Sequence, residues 1–201
     1  SFNLLNKAIK NSNLISFNEV STTELAKSLY PLDWLSANIL VNALQRYGQN
    51  ERSLFTFLND NTKYSINLFD GKFYSISNVF DYLVNTLGSE IYSFNNPHRP
   101  QWQTCFRALE RAELIEDIDY KLVSEVIKTI CLVNIFTKAG SLFDQQFISK
   151  YIHHTSEFKD VSIEKAIDKL YKSGIIRFFK HSNKINFLDL KETFKIIREY
   201  L

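Results

Sequence analysis

Cysteine, glycine, proline and methionine are all scarce: two Cys, five Gly, three Pro and no Met in 201 residues. Two Cys cannot staple a disulfide scaffold. Cys105 and Cys131 lie far apart and outside any C-x-x-C pair, so redox exchange and thiolate metal binding lack their spacing. They read as two small buried apolar residues. So few Gly and Pro argue against a sandwich with many tight turns and against a Gly-rich nucleotide cradle. No apolar run approaches the roughly 18 to 20 residues that span a bilayer. The best, 126–136, is interrupted by Lys128, Thr129 and Asn134. No leader peptide is visible, and a cytoplasmic location is the default expectation. A chain that opens Ser1-Phe2-Asn3 without any Met reads as a piece of a longer protein.

What is present is a chain 45% hydrophobic, enough to bury a core and to exclude a disordered tail. The net charge of +2, from 24 basic and 22 acidic residues, gives no global reason to expect nucleic acid, membrane or an acidic partner. The total hides an asymmetry. Residues 1–120 hold 10 basic and 13 acidic groups, a net −3, whereas residues 121–201 hold 14 and 9, a net +5.

Apolar spacing predicts a mainly α protein. Ser21-x-x-Glu24 has capping-box spacing, with Leu25, Leu29 and Tyr30 as an apolar face before Pro31 breaks the run. A helix over 32–47 carries Leu35, Ile39, Leu40, Ala43, Leu44 and Tyr47, with Gly48 placed for a left-handed C-cap. Asn50 caps a shorter helix whose buried side is Leu54, Phe55, Phe57 and Leu58. After a polar loop over 62–74, Ser77 or Asn78 starts another helix, which Gly88 ends; Pro97 and Pro100 precede one over 101–114. Beyond the acidic connector 116–119 the pattern changes. Val123, Val126, Ile127, Ile130, Cys131, Val133 and Phe136 give a broad apolar face, so this helix is central to its domain. Phe143 to Ile152 mark a second helix, and Ser162 caps a third that Ser173-Gly174 closes. The one strong strand pair follows, 175–179 and 184–188, with a helix over 190–201 after it.

Three helices followed by a hairpin is the order of a winged helix. The expected architecture is a helical lid-like bundle over 1–118 and a winged-helix unit with a small β-hairpin over 119–201. DNA-reading members of that fold need basic or amide groups on the third helix and on the wing. Lys165, Lys169 and Lys172 are such candidates on the helix, and Arg177, Lys180, His181 and Lys184 on the wing. Glu164 and Asp168 share that helix and pair naturally with its lysines, as a solvated or protein-packing face would. Spacing leaves DNA contact and protein packing both open.

Tyr30-Pro31-Leu32, the helix after it, and the string Arg46-Tyr47-Gly48-Gln49-Asn50-Glu51-Arg52-Ser53-Leu54-Phe55-Thr56-Phe57-Leu58 resemble a block found in large bacterial P-loop ATPases. Many of those proteins belong to phage-defence or mobile-element systems, and the block lies C-terminal to their nucleotide core. The resemblance runs on through Tyr82-Leu83, Leu87-Gly88-Ser89, Lys128-Thr129-Ile130, Leu132-Val133-Asn134 and 170–176, covering roughly 25–190. AAA+ and STAND-type ATPases follow their core with a helical lid and a winged helix, an order similar to the one read here. The resemblance implies a non-catalytic C-terminal fragment that couples nucleotide state to a partner or to DNA. ATP and Mg²⁺ would belong to the full-length protein, and the upstream core, a protein partner or duplex DNA would be the contacts. A membrane is not among them.

The chain departs from a complete ATPase decisively. A phosphate cradle needs Gly-x-x-x-x-Gly-Lys-Ser/Thr, because backbone N–H groups must converge on the phosphates. Gly71-Lys72 has neither the upstream Gly nor the following hydroxyl, so no ATP hydrolysis is expected of this chain alone. Arg52 is the nucleotide-sensing candidate, since a lid arginine can reach a γ-phosphate held by a neighbouring core; its bland alternative is a helix arginine paired with Glu51. The acidic group Glu110, Glu113, Glu116, Asp117 and Asp119 lacks calcium-loop spacing. His153 and His154 are adjacent and point about 100° apart on a helix, unlike i,i+4 metal ligands. No nucleophile elbow and no Cys–His pair is visible. The other class of reading is a stand-alone winged-helix DNA-binding regulator.

Overall fold

The computed structural model describes residues 2–16, 23–48 and 51–188, with the side chains of Phe2, Thr23 and Glu51 left aside. Ser21, Gln49, Asn50 and the helix expected over 190–201 lie outside the described residues. Among those described, the protein is mainly helical, with one small antiparallel hairpin.

The helices are α1 (Phe2–Ser12), α2 (Thr23–Ser28), α3 (Trp34–Tyr47), α4 (Glu51–Asn59), α5 (Ile76–Thr86), α6 (Gly88–Tyr92), α7 (Arg99–Ala112), α8 (Tyr120–Phe136), α9 (Gln145–Thr155) and α10 (Asp160–Lys172). A short 3-10 turn, Ile66–Leu68, follows α4. The hairpin is β1 (Ile176–Phe179) and β2 (Lys184–Phe187), with Ile176 opposite Phe187 and Phe179 opposite Lys184. No helix among the described residues is long and apolar enough to cross a membrane.

Local chemistry accounts for most of the helix starts. Asp33 caps α3 by accepting from the Leu35 and Ser36 amides, Asp119 caps α8 through Lys121, and Asp144 caps α9 through Phe147. Ser75 and Asn78 form a reciprocal capping box at α5, so Asn78 is the third residue of that helix and not its cap. Helix α10 begins at Asp160 after Lys159, three residues before the turn that Ser162 was expected to cap. Gly48 is extended, not left-handed. Its role is close approach: a Cβ there would lie 2.3 Å from the Ser53 hydroxyl and 2.8 Å from the Leu44 carbonyl.

Helix α8 organises the packing. Twelve of its 17 residues are buried, which its broad apolar face anticipates. It contacts α3, α5 and α7 on one side and α9, α10 and β2 on the other. The buried cluster therefore runs continuously from Leu5 to Phe187, across the 118/119 boundary at which the sequence pattern changes. Helix α1, which the expected organisation does not contain, buries Leu5 and Ile9 and packs on α9. Lys138 donates its amide to the Leu14 carbonyl at 3.2 Å close by. Among the described side chains of α4 only Phe57 is fully buried, with Leu54 half-buried against the core; Phe55 and Leu58, expected on the inner side, are 68% and 48% exposed.

Candidate functional site

The sequence-selected cations lie mostly in the C-terminal third, and their surroundings divide them. Helix α10 buries Ile163, Ala166, Ile167 and Leu170 and turns Asp160, Glu164, Lys165, Asp168 and Lys172 to solvent, with Lys169 half-buried. Three carboxylates and three ammonium groups share that outer surface. Lys172 pairs with Asp168 one turn back at 2.7 Å. Lys169 reaches across to the Glu116 carbonyl at 3.4 Å. Lys165 is exposed.

On the hairpin the division is sharper. Arg177 folds back, donating to the carbonyls of Tyr171 and, at 3.1 Å, Ile176. Lys180 and His181 are exposed in the turn. Lys184 is buried at 5% exposure, so its placement as a surface cation of the wing is corrected by the structure. Its ammonium donates to the Thr137 hydroxyl at 2.9 Å, and burial lowers its pKa to about 8. Beside it Phe143, between α8 and α9, donates its amide to the Asn183 carbonyl and accepts from the Ile185 amide, a single backbone bridge to β2 at Lys184. Asn134 of α8 closes the same corner by donating to the Ile185 carbonyl at 2.8 Å.

Arg52 sits exposed on α4, away from these groups in the element packing, since α4 rests on α3 and the 3-10 turn. It borders a small recess with Leu44, Tyr82 and Thr86. The two histidines are within ring contact at 5.1 Å, and His153 Nδ1 meets Asp160 Oδ1 at 2.7 Å, which ties α9 to the start of α10. Burial lowers the pKa of His154, and the neighbouring His153 and Lys72 add to that direction. Among the described residues no three His, Cys, Asp or Glu side chains are placed to hold a metal ion. Cys105 and Cys131 are both buried, and the structure brings them together between α7 and α8; burial, then Cys105 itself, pushes the Cys131 thiol pKa well up. Such a thiol is a poor nucleophile.

One polar node escaped notice in the sequence. Asp33, 1% exposed, accepts from the Ser36 hydroxyl at 2.6 Å and from the Tyr151 hydroxyl at 2.7 Å, besides its two amide caps. The Ile76 amide donates to Tyr151 Oη at 3.1 Å. Burial raises the Asp33 pKa, while the bonds from Ser36 and Tyr151 oppose the rise. The node joins α3, α5 and α9, residues far apart in the chain, so only the N-cap position of Asp33 after Pro31-Leu32 hints at it. Comparison of the chain with protein-family models, with curated proteins and with solved structures gives no match.

Proposed function

We propose that this chain is a non-catalytic accessory region of a cytoplasmic P-loop ATPase of the AAA+/STAND-like, phage-defence kind. In this reading residues 1–118 form a helical lid-like subdomain and residues 119–201 a winged-helix subdomain, which together relay nucleotide state to a protein partner. The observation that carries the winged-helix part is the order helix, helix, helix, hairpin, with Phe143 joined to β2 by a single backbone bridge at Lys184. The ATPase part rests on the resemblance of the 46–58 string and on the lid-then-wing order.

Protein contact is favoured over DNA by charge. The outer face of α10 carries equal numbers of acids and bases, Lys172 is paired, Arg177 is folded onto its own backbone, and Lys184 is buried. Duplex binding needs several cations free to replace counterions. The second reading, a stand-alone DNA-binding regulator, keeps the support of exposed Lys165 and Lys180 and of the +5 charge beyond residue 120. A titration with a fluorescent ATP analogue and Mg²⁺ tests the accessory reading. Absence of binding is expected, because no phosphate cradle is encoded here; micromolar affinity would sink it.

A further inference from the structure

We propose that the cleft between the 69–78 segment, the first half of α8 and the 155–158 connector binds an alkylguanidinium or alkylammonium group on the Glu125 carboxylate. The cleft measures about 590 Å³, and Phe69, Phe73 and Phe158 are among its lining residues. Phe69 is held in place: it lies edge-on to Tyr74 at 5.3 Å and so close over Gly71 that a Cβ there would come within 2.5 Å of the ring. Glu125 is half-buried and makes no hydrogen bond or ion pair among the described residues.

A carboxylate drawn out of water without a partner is costly, and an arriving cation removes that cost. Lys121 and Lys128 of its own helix favour the ionised form through space, but neither forms an ion pair with it. Lys128 is bound to Asp81 at 2.8 Å, and Lys121 is exposed. Around Glu125 the lining brings Asp70 and Lys72 from the 69–78 segment, Asp119 and Lys121 from α8, and Glu157 from the connector, so carboxylates outnumber ammonium groups four to two. The ligand is therefore a cation. A metal ion does not suit, since no three ligating side chains converge among the described residues. An organic cation does, because an aromatic face attracts it as well as a carboxylate.

Burial has already lifted Glu125 to a pKa of about 7, with Lys121 and Lys128 pulling it down and Asp119 and Asp81 pushing it up. Binding a cation favours the ionised form and so releases a proton near neutrality. This site does not depend on the ATPase reading, and either stands if the other falls. The test follows the ¹³C resonance of the Glu125 side-chain carboxyl during titration with agmatine and, separately, with N-acetyl-arginine amide. At least one of the two should move it saturably, about tenfold more weakly at pH 6 than at pH 8, and should lower its titration midpoint. Agmatine alone would indicate a free amine as the source; the blocked arginine alone, a side chain of a partner. Glu125→Gln should cut binding at least tenfold, and Phe158→Ala severalfold with Glu125 still titrating. An unmoved resonance with both compounds at about 10 mM, or undiminished binding by Glu125→Gln, would overturn the proposal.

Discussion

At the scale of single residues, two buried polar groups dominate what mutation should reveal. Lys184 is ordinarily 10.5 in pKa and about 8 when folded, so between those values the unfolded chain binds more protons than the folded one. Its burial therefore costs stability in full below pH 8, and the cost fades as the pH rises toward 10.5. Lys184→Met should stabilise the protein at pH 7 by about 1–2 kcal/mol, after discounting for a partly wet ammonium, with the gain shrinking in urea melts above pH 8. Tyr151→Phe acts in the other direction. It leaves the Ile76 amide without its acceptor and Asp33 with one donor fewer, for an expected loss of about 2 kcal/mol in the same melts. The sequence could mark Lys184 as a cation but not its burial, because its ammonium meets Thr137, forty-seven positions earlier at the end of α8. Asp33 was equally unreadable as a node. Its distant partner, Tyr151, comes from α9, and a cap residue looks the same in sequence whether wet or dry.

At the scale of elements, the strongly periodic helices and the hairpin are where sequence and structure agree best. Helices α3, α7, α8 and α9 and the strand pair fall close to their expected spans, since each has a long apolar stripe or a clear alternation. Short elements fared worse. Phe55 and Leu58 follow helical spacing yet face outward, because α4 buries only a narrow line through Phe57 against Tyr74 and Tyr82. Gly48, whose position suggests a left-handed cap, is instead extended and holds α4 tight against the end of α3. Gly48→Ala should therefore destabilise by about 1–3 kcal/mol through a steric clash, although its backbone angles suit any residue. A thermal melt beside that of Gly88→Ala, where a new Cβ meets nothing nearer than 3.9 Å, separates clash from generic glycine loss. On α10 the mixed charges of the outer face are legible in the sequence, whereas their pairing is legible only as an i,i+4 possibility, which Asp168–Lys172 realises.

At the scale of the whole molecule, the change of pattern near residue 118 divides composition and charge, yet the buried cluster passes across it because α8 is covered on both sides. Unfolding should then be one cooperative event for both halves. Hydrogen exchange at rising denaturant should release the most protected amides of α5 and α10 together, whereas separate release would mark two independently stable units. The charge asymmetry between the halves has to be weighed against where the charges sit: Lys172 is paired, Arg177 is folded back and Lys184 is buried, while Lys165, Lys180 and His181 are exposed. The helix-and-hairpin unit is proposed to meet protein and not duplex. The most direct measurement is fluorescence anisotropy of a labelled DNA duplex titrated with the folded chain at about 50 and 200 mM salt, for the native sequence and for a Lys165→Glu, Lys180→Glu double variant. Binding weaker than about 100 μM at the higher salt, little changed by the two substitutions, is the expected result. Submicromolar affinity that falls steeply with salt and disappears in the double variant would contradict it.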